Sequence, residues 1–466
     1  MSVHGCEAAN NNATAPSPGV APPIAGTPAG QGIDPRRVAE SLAERFGPGG
    51  VDPRVPALAP GFDAPFYQAG LAGYSDAPMR LIARRHGCPF CVTEALLDRT
   101  MLAGGRGFAK ADLGDLHENV PGGDEDTPLS CQIMGSDPRE MAAAALKAVE
   151  QGRRGDKGYR AMAYAGRDMA FARDVSSQHL RTAAGEQIGR VDVSADTAPK
   201  PEPTPEGADA GSAIDGPAFS TIDVNLACPV KKIAKKARGG HWLAEPAGAI
   251  AILEAVRTAV PKGIPVTVKM RRSFDDTEEQ REHFFRIFDA AYDMGCAWVT
   301  VHGRTVEQKY VGPSRWDMLR EIVHRDHPGR VRDRIVLGSG DVWTAADVFR
   351  MIAYTGVQGV SIARGCIGNP WVFRQCRDLL AGREPARPTL DEQRDVLLEH
   401  FALALAANAS MRHPELHTGK TMRKFAIQFS KHHPDPDTVK KAFVRVKTLD
   451  AWRAVLDEHY AAHAPA

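Results

Sequence analysis

The sequence predicts an α/β protein: a (β/α)₈ TIM barrel followed by a C-terminal helical-bundle domain. Three observations predict it. Eight short apolar runs rich in β-branched or aromatic residues alternate with helix-like stretches, which argues for a parallel sheet and, at eight units, for a closed barrel. The ends of those runs carry Gly73, Glu94, Gln132, Asn225, Lys269, His302, Asp341 and Arg364, small or polar residues that core packing does not need. Beyond them, residues 390–462 read as helix alone.

In chain order, residues 1 to about 35 are rich in Ala, Pro, Gly and Asn without apolar periodicity, so a disordered tail is expected. A short helix at Pro35–Phe46 completes an N-terminal segment over residues 1–50. The barrel is expected over 60–375. Its strands are Pro65–Ala69, Phe90–Glu94, Leu129–Met134, Thr221–Val224, Pro265–Met270, Trp298–His302, Ile335–Gly338 and Val360–Ala363. Helices are expected at Ala77–His86, Pro138–Gln151, Glu245–Val260, Thr277–Met294 and Ala345–Tyr354. Between Gly152 and Phe219, roughly seventy residues stand where a few would join helix to strand, and they read as an insertion. Its first half, Asp156–Asp174, reads as helix or loop with aromatics. Its second half, Ala195–Ser212, is rich in Pro, Ala and acids and reads as disordered. Pro385 and Pro388 then lead into the helical domain, 388–462.

Composition bounds the function. A chain of 466 residues with 43% hydrophobic and 25% charged residues is an ordinary globular protein that can bury one large core and a smaller one. A net charge of +1 excludes a strongly basic field, so any nucleic-acid contact must be local. Eight scattered cysteines read as buried free thiols of a reducing cytosol, rather than disulfides. Met1 to Gly30 has no basic stretch followed by an apolar one, and no run approaches a membrane span. A cytoplasmic monomer without membrane or metal partners is expected.

Five features carry chemistry. Asn225-Leu226-Ala227-Cys228-Pro229 ends the run Ser220–Val224, so the Cys228 thiol sits at a strand tip, where barrels place catalytic groups. Lys269 alternates with Val and Thr in a buried strand, which is costly unless it meets an anion, a carboxylate or a flavin ring; Schiff-base chemistry is the rival reading. His302 ends the next strand, in His302-Gly303-Arg304-Thr305. Gly338-Ser339-Gly340-Asp341 and Ala363-Arg364-Gly365 follow strands seven and eight, the common barrel phosphate site. The segment 419–447 holds Lys420, Arg423, Lys424, Lys431, Lys440, Lys441, Arg445 and Lys447 against Asp435 and Asp437, a local phosphate-backbone footprint. Cys88-Pro89-Phe90-Cys91 has metal-like spacing, but no second pair follows it and its apolar neighbours favour a strand lead-in.

These residues resemble the bacterial tRNA-dihydrouridine synthases, the B-type branch most closely. The resemblance rests on Ala72–Pro78, Gln132–Pro138, Asp223–Pro229 with Lys231-Lys232, Val301–Thr305, Gly340-Asp341, Tyr354–Gly356, Arg364, Gly368 and Pro370–Arg374, in order over roughly residues 60–460. It implies a flavin barrel that reduces the C5–C6 bond of uridine in tRNA, with FMN bound and NADPH as reductant. By the same resemblance Gly70, Leu71, Ala72, Gln132, Lys269, His302, Ser339, Gly340, Asp341, Ala363 and Arg364 would surround FMN. Asn225 and Arg304 would face the uracil, Arg423 and Lys424 would hold tRNA, and Cys228 would be the proton donor. An unperturbed thiol, with a pKa of about 8.5, is mostly protonated at neutral pH and can serve as that acid. The chain departs from the family in Ala227, where glycine is usual, in Gly70-Leu71-Ala72 for Pro-Met-Ala, and in Ser339 for asparagine. The rival functions are an FMN barrel acting on a small pyrimidine or enone, and a flavin-free tRNA-binding protein.

Overall fold

A computed structural model describes residues 30–103, 124–154, 219–230, 239–325, 334–409 and 411–460. The expected tail up to residue 29, nearly all of the insertion, and the Lys231-Lys232 pair lie outside the described residues.

The strands form a closed parallel ring. They are β1 (Phe66–Gln68), β2 (Cys91–Val92), β3 (Leu96–Leu97), β4 (Leu129–Met134), β5 (Thr221–Leu226), β6 (Val266–Arg271), β7 (Val299–His302), β8 (Val336–Ser339) and β9 (Gly359–Ile362). β1 pairs with both β2 and β9, and β2 pairs with β4, which closes the barrel. The second position is split, since β3 continues along β4 above β2 (Leu96 opposite Ile133). Of the strand expected at Phe90–Glu94 only Cys91–Val92 forms, and the second piece, Leu96–Leu97, lies beyond the expected bounds.

Helices α3 (Ala77–Arg85), α5 (Pro138–Arg154), α6 (Pro246–Ala259), α7 (Glu278–Asp293), α8 (Trp316–His324), α9 (Ala345–Thr355) and α10 (Trp371–Leu380) follow successive strands, with a short α4 (Asp98–Ala103) after β3. Two of their starts illustrate side-chain capping. Asp76 accepts from the Met79 N–H, and Thr344 and Asp347 form a reciprocal capping box. The sequence reading missed α8 and α10.

Helix α1 (Pro35–Phe46) falls where the sequence placed it, and residues 47–64 after it contribute buried apolar side chains. With α2 (Arg54–Leu58), Val51, Val55, Ala59 and Phe62 join Tyr67, Phe90, Trp298, Ile335 and Leu337 in one apolar cluster at the foot of the barrel. Phe62 stacks on Phe90 with centroids 4.6 Å apart and rings 7° from parallel. Proline and glycine punctuate this stretch, which hid its packing from a periodicity reading.

After α10 come α11 (Leu390–Ala407), α12 (Pro414–Phe429), α13 (Pro436–Val444) and α14 (Leu449–His459), the expected helical bundle. It shares one core with the barrel: Trp371 of α10 meets Phe429 of α12 edge-on at 5.7 Å, and both belong to the main apolar cluster. Among the described residues, no helix is long and apolar enough to cross a membrane.

Candidate active site

Because alternate strand residues face the axis, the barrel interior is layered. Above the aromatic foot lies a hydroxyl layer, where Tyr67 and Thr300 share a hydrogen bond of 2.8 Å and Thr221 donates to Ser130 at 2.6 Å. Above that come the expected site residues. Asp223 stands opposite Gln132, Asn225 opposite Lys269, and His302 opposite Ser339.

A buried chain of hydrogen bonds climbs from this interior to the cysteine. Thr267 Oγ1 and Gln132 Nε2 donate to the two carboxylate oxygens of Asp223 at 2.6 and 2.7 Å. Asn225 Nδ2 donates to Gln132 Oε1 at 2.7 Å, and Asn225 Oδ1 accepts from the N–H groups of Ala227 (2.9 Å) and Cys228 (3.1 Å). Backbone N–H groups can only donate and an ionised carboxylate can only accept, so both ends set one orientation for the two amides. Asn225 thus shapes the turn that presents Cys228.

Cys228 is a free, half-buried thiol packed against Ala95, Leu97 and Met134. Burial pushes its pKa above that of an ordinary thiol, against the smaller pull of the Val230 N–H and the Arg271 charge. Ala227 shows no backbone strain: the described non-glycine residues with positive φ are Lys309 and Asp341. The extra methyl therefore sits in ordinary backbone.

Around the mouth, the buried polar atoms without a hydrogen-bond partner among the described residues include Lys269 Nζ, Ser339 Oγ and Arg304 Nη1. Burial lowers the Lys269 pKa to about 8, opposed by Asp223. His302 Nδ1 accepts from the Arg304 N–H at 3.2 Å, which leaves the neutral ring's proton on Nε2. Burial, then the charges of Arg271, Lys269, Arg304 and Arg364, hold His302 well below its ordinary pKa. A ring of cations with unused donors is suited to an anionic, hydrogen-bond-accepting ligand.

The other expected residues fall into three groups. Leu71, Ala72 and Gly73 form a turn after β1, with the Tyr74 and Ser75 N–H groups donating to the Leu71 carbonyl. Gly70 is required by close packing, since a Cβ there would stand 2.4 Å from the Thr93 carbonyl oxygen. That accounts for one departure from the family pattern. Arg304 and Asp341, expected to face substrate and cofactor separately, instead pair with each other: Arg304 Nη2 reaches both carboxylate oxygens at 2.8 Å, and the Ser314 N–H donates to the same carboxylate. They brace the loop of Gly340, whose carbonyl accepts from the Trp316 indole at 3.0 Å. Ala363 directly follows β9, and Arg364 lies 4.8 Å over the Trp343 ring and 5.3 Å from that of Tyr310.

Arg423 and Lys424 lie apart from the mouth's interior and are engaged within the chain. Arg423 Nη1 donates to the Val444 carbonyl at 3.3 Å, and Lys424 Nζ donates to the Gly73 carbonyl. The exposed cations of this region are Lys420, Lys431, Lys440, Lys441, Arg445 and Lys447.

Sequence reasoning missed Arg271. Its guanidinium is buried and donates to the carbonyls of Ala227 (2.9 Å), Thr305 (2.7 Å) and Lys309 (2.7 Å), tying the Cys228 turn to the loop after β7. Its place two residues after Lys269, and so on the same face of β6, was the available signal. Cys88 and Cys91 are buried thiols 3.8 Å apart at the start of β2, as the strand lead-in reading expects. Among the described residues, no group of three metal-ligating side chains is assembled.

A family model described as Dihydrouridine synthase (Dus) matches residues 67–155 and 201–464. A probable tRNA-dihydrouridine synthase of Mycobacterium tuberculosis (strain ATCC 25618 / H37Rv) is 34% identical over 239 residues, 51% of this chain and 58% of that protein. tRNA-dihydrouridine synthase B of Pseudomonas putida is 28% identical over 338 residues, 72% of this chain and 74% of that protein. tRNA-dihydrouridine synthase B of Shewanella oneidensis is 34% identical over 181 residues, 39% and 53% of the two chains. The chain thus spans less than two thirds of the length of the first of these relatives.

Proposed function

The chain belongs to the dihydrouridine synthase family, and on that premise we propose that it reduces the C5–C6 double bond of uridine in tRNA, with FMN bound at the barrel mouth and NADPH as reductant. The observation that carries the proposal is Cys228: a thiol kept protonated by burial, held at a strand tip on a turn braced by Asn225 and Arg271. The mouth fits a flavin, since the unpartnered donors Lys269 Nζ, Ser339 Oγ and Arg304 Nη1 call for acceptors. Gln132, Lys269 and the β1 turn would hold the ring, and His302, Gly340 and Arg364 the phosphate.

When bound, the flavin supplies the hydride that adds to C6 of the uracil. C5 then needs a proton, and the Cys228 Sγ–H delivers it. The thiolate left behind gains from the buried Arg271 charge, which already acts to lower the thiol's pKa. Lys269, with a pKa of about 8, is largely protonated at neutral pH and favours negative charge beside it. Asn225 holds the Cys228 turn in place, and the exposed lysines of α12 and α13 meet the tRNA backbone. A uridine must leave its stack to reach this mouth, which a second domain beside the barrel with a basic segment at 419–447 supports.

The test is purified protein with FMN, NADPH and unmodified tRNA, followed by mass spectrometry of nucleosides mapped by position. Dihydrouridine at a defined site is the expected product. Cys228→Ala should keep FMN and tRNA binding while turnover falls about 10²- to 10⁴-fold, the usual contribution of a general acid. Full turnover in that variant refutes the assigned role; reduction of free uracil or an enone in preference to tRNA refutes the substrate.

A further inference from the structure

The helical domain reaches the barrel mouth at Gly73 and Tyr74. On the barrel side the Gly73 N–H donates to Glu94 Oε2 at 2.9 Å; on the other side the Gly73 carbonyl accepts from Lys424 Nζ of α12. Both backbone groups of Gly73 are therefore taken, one by each domain. Its φ of +74° is a conformation that glycine adopts without strain. Next to it, Tyr74 meets Phe425 of α12 edge-on with centroids 5.5 Å apart. Lys424 Nζ stands 5.1 Å from the Tyr74 ring and 5.0 Å from the Phe425 ring.

The support behind this contact is rigid. Phe425 is fully buried and rests on the His400 ring at 4.5 Å, and burial holds that histidine neutral with a pKa of about 3. The loop itself is closed by Ser75 Oγ, which accepts from the Leu71 N–H at 2.8 Å, and it runs into the capped start of α3. Helix α3 is in turn tied to α11 by the Arg85–Glu399 ion pair.

We propose that Lys424 is a positioning residue: through Gly73 and Tyr74 it holds the β1 loop, residues 70–76, in the shape that receives the flavin, and it is not a phosphate contact. The proposal rests on the flavin reading given above. An ammonium placed beside two aromatic rings and bonded to a carbonyl has given up part of its water, and a phosphate would have to displace those partners. The exposed cations Lys420, Lys431, Lys440, Lys441, Arg445 and Lys447 have no such competition and are left to meet the tRNA backbone.

Lys424→Met in the full-length protein tests this through three readouts: amide exchange at residues 70–76 without flavin, FMN affinity by flavin fluorescence, and the salt dependence of tRNA binding. Exchange at Gly73 should rise about tenfold, as local opening becomes easier. FMN affinity should fall about five- to tenfold, as expected when a preorganised loop must be ordered on binding. The slope of log K against log salt should not change, whereas the Lys440→Ala/Lys441→Ala double variant should lower it by about two and leave exchange untouched. Lys424→Arg, which can still donate to the Gly73 carbonyl, should restore protection. Unchanged exchange at Gly73, or a slope reduced by about one in Lys424→Met, overturns the proposal. A wild-type protein that binds no FMN overturns the flavin reading instead; faster exchange in the variant would then still support the hold on the loop.

Discussion

At the level of single residues, Cys228 shows how burial and charge divide the control of one proton. Burial raises the thiol's pKa more than the Val230 N–H and Arg271 lower it, so the acid form persists through neutral pH. The sign has a direct consequence. A proton donor works only while protonated, and a raised pKa moves the loss of activity upward in pH. Lys269 loses its charge near pH 8, so kcat/KM should show a first fall there; the thiol's own limb should lie above the ordinary thiol range, and iodoacetamide labelling of Cys228, which reports the thiol alone, should rise along that second limb. Labelling that is complete and rapid at pH 7 would show a depressed thiol and reverse the assignment from acid to nucleophile. The cysteine was legible in the sequence because a strand tip followed by proline is a local pattern. Its partners were not. Arg271 lies 44 positions after Ala227, whose carbonyl it holds, and Arg304 lies 37 before Asp341, whose charge it neutralises. Only barrel closure brings such residues together, so the types at the strand ends could be read but not who pairs with whom.

Among elements, β4 and β5 are joined by more than their ladder, since Gln132, Asp223 and Asn225 form one directional chain ending at the cysteine turn. Direction makes the chain testable. Asn225→Asp keeps both acceptors for the Ala227 and Cys228 N–H groups but sets a carboxylate oxygen against Gln132 Oε1. Turning Gln132 over relieves that clash and creates the same clash with Asp223. One buried group is left unsatisfied either way, at a cost of about 1–3 kcal/mol. Adding Asp223→Asn removes the conflict. Gln132, turned over, would donate to the new carboxylate at position 225 and accept from the new amide at position 223, while Thr267 still donates to that amide's oxygen. Urea denaturation should show the double variant regaining most of the loss, with a coupling energy of roughly 0.5–3 kcal/mol. Additive losses would mean that the three side chains act independently. Periodicity placed β4 at its observed ends and helices α3, α5, α6, α7 and α9 within a few residues. The second strand was harder, because two residues of β2 and two of β3 carry too little pattern to separate.

For the whole molecule, the barrel divides its work between two faces. The mouth keeps unpartnered polar atoms and a ring of cations, features that oppose folding. The foot supplies compensation through the plug of residues 47–64, which closes the barrel with aromatic packing rather than with a ligand site. Phe62 is the centre of that plug, stacked on Phe90 and edge-on to Tyr67 at 5.6 Å and Trp298 at 6.2 Å. Phe62→Ala would open a cavity among rings that cannot collapse into it, costing about 3–5 kcal/mol. The hydroxyls of Tyr67, Thr300, Ser130 and Thr221 stand between this cluster and Gln132 and Lys269, although Phe90 and Trp298 line one small cavity with those two residues. The expected result is a thermal midpoint lowered by several degrees with FMN affinity and tRNA affinity at their wild-type values below the transition. A matching fall in FMN affinity would mean that the foot also shapes the mouth, and that the two faces of this barrel are coupled through the polar layer rather than insulated by it.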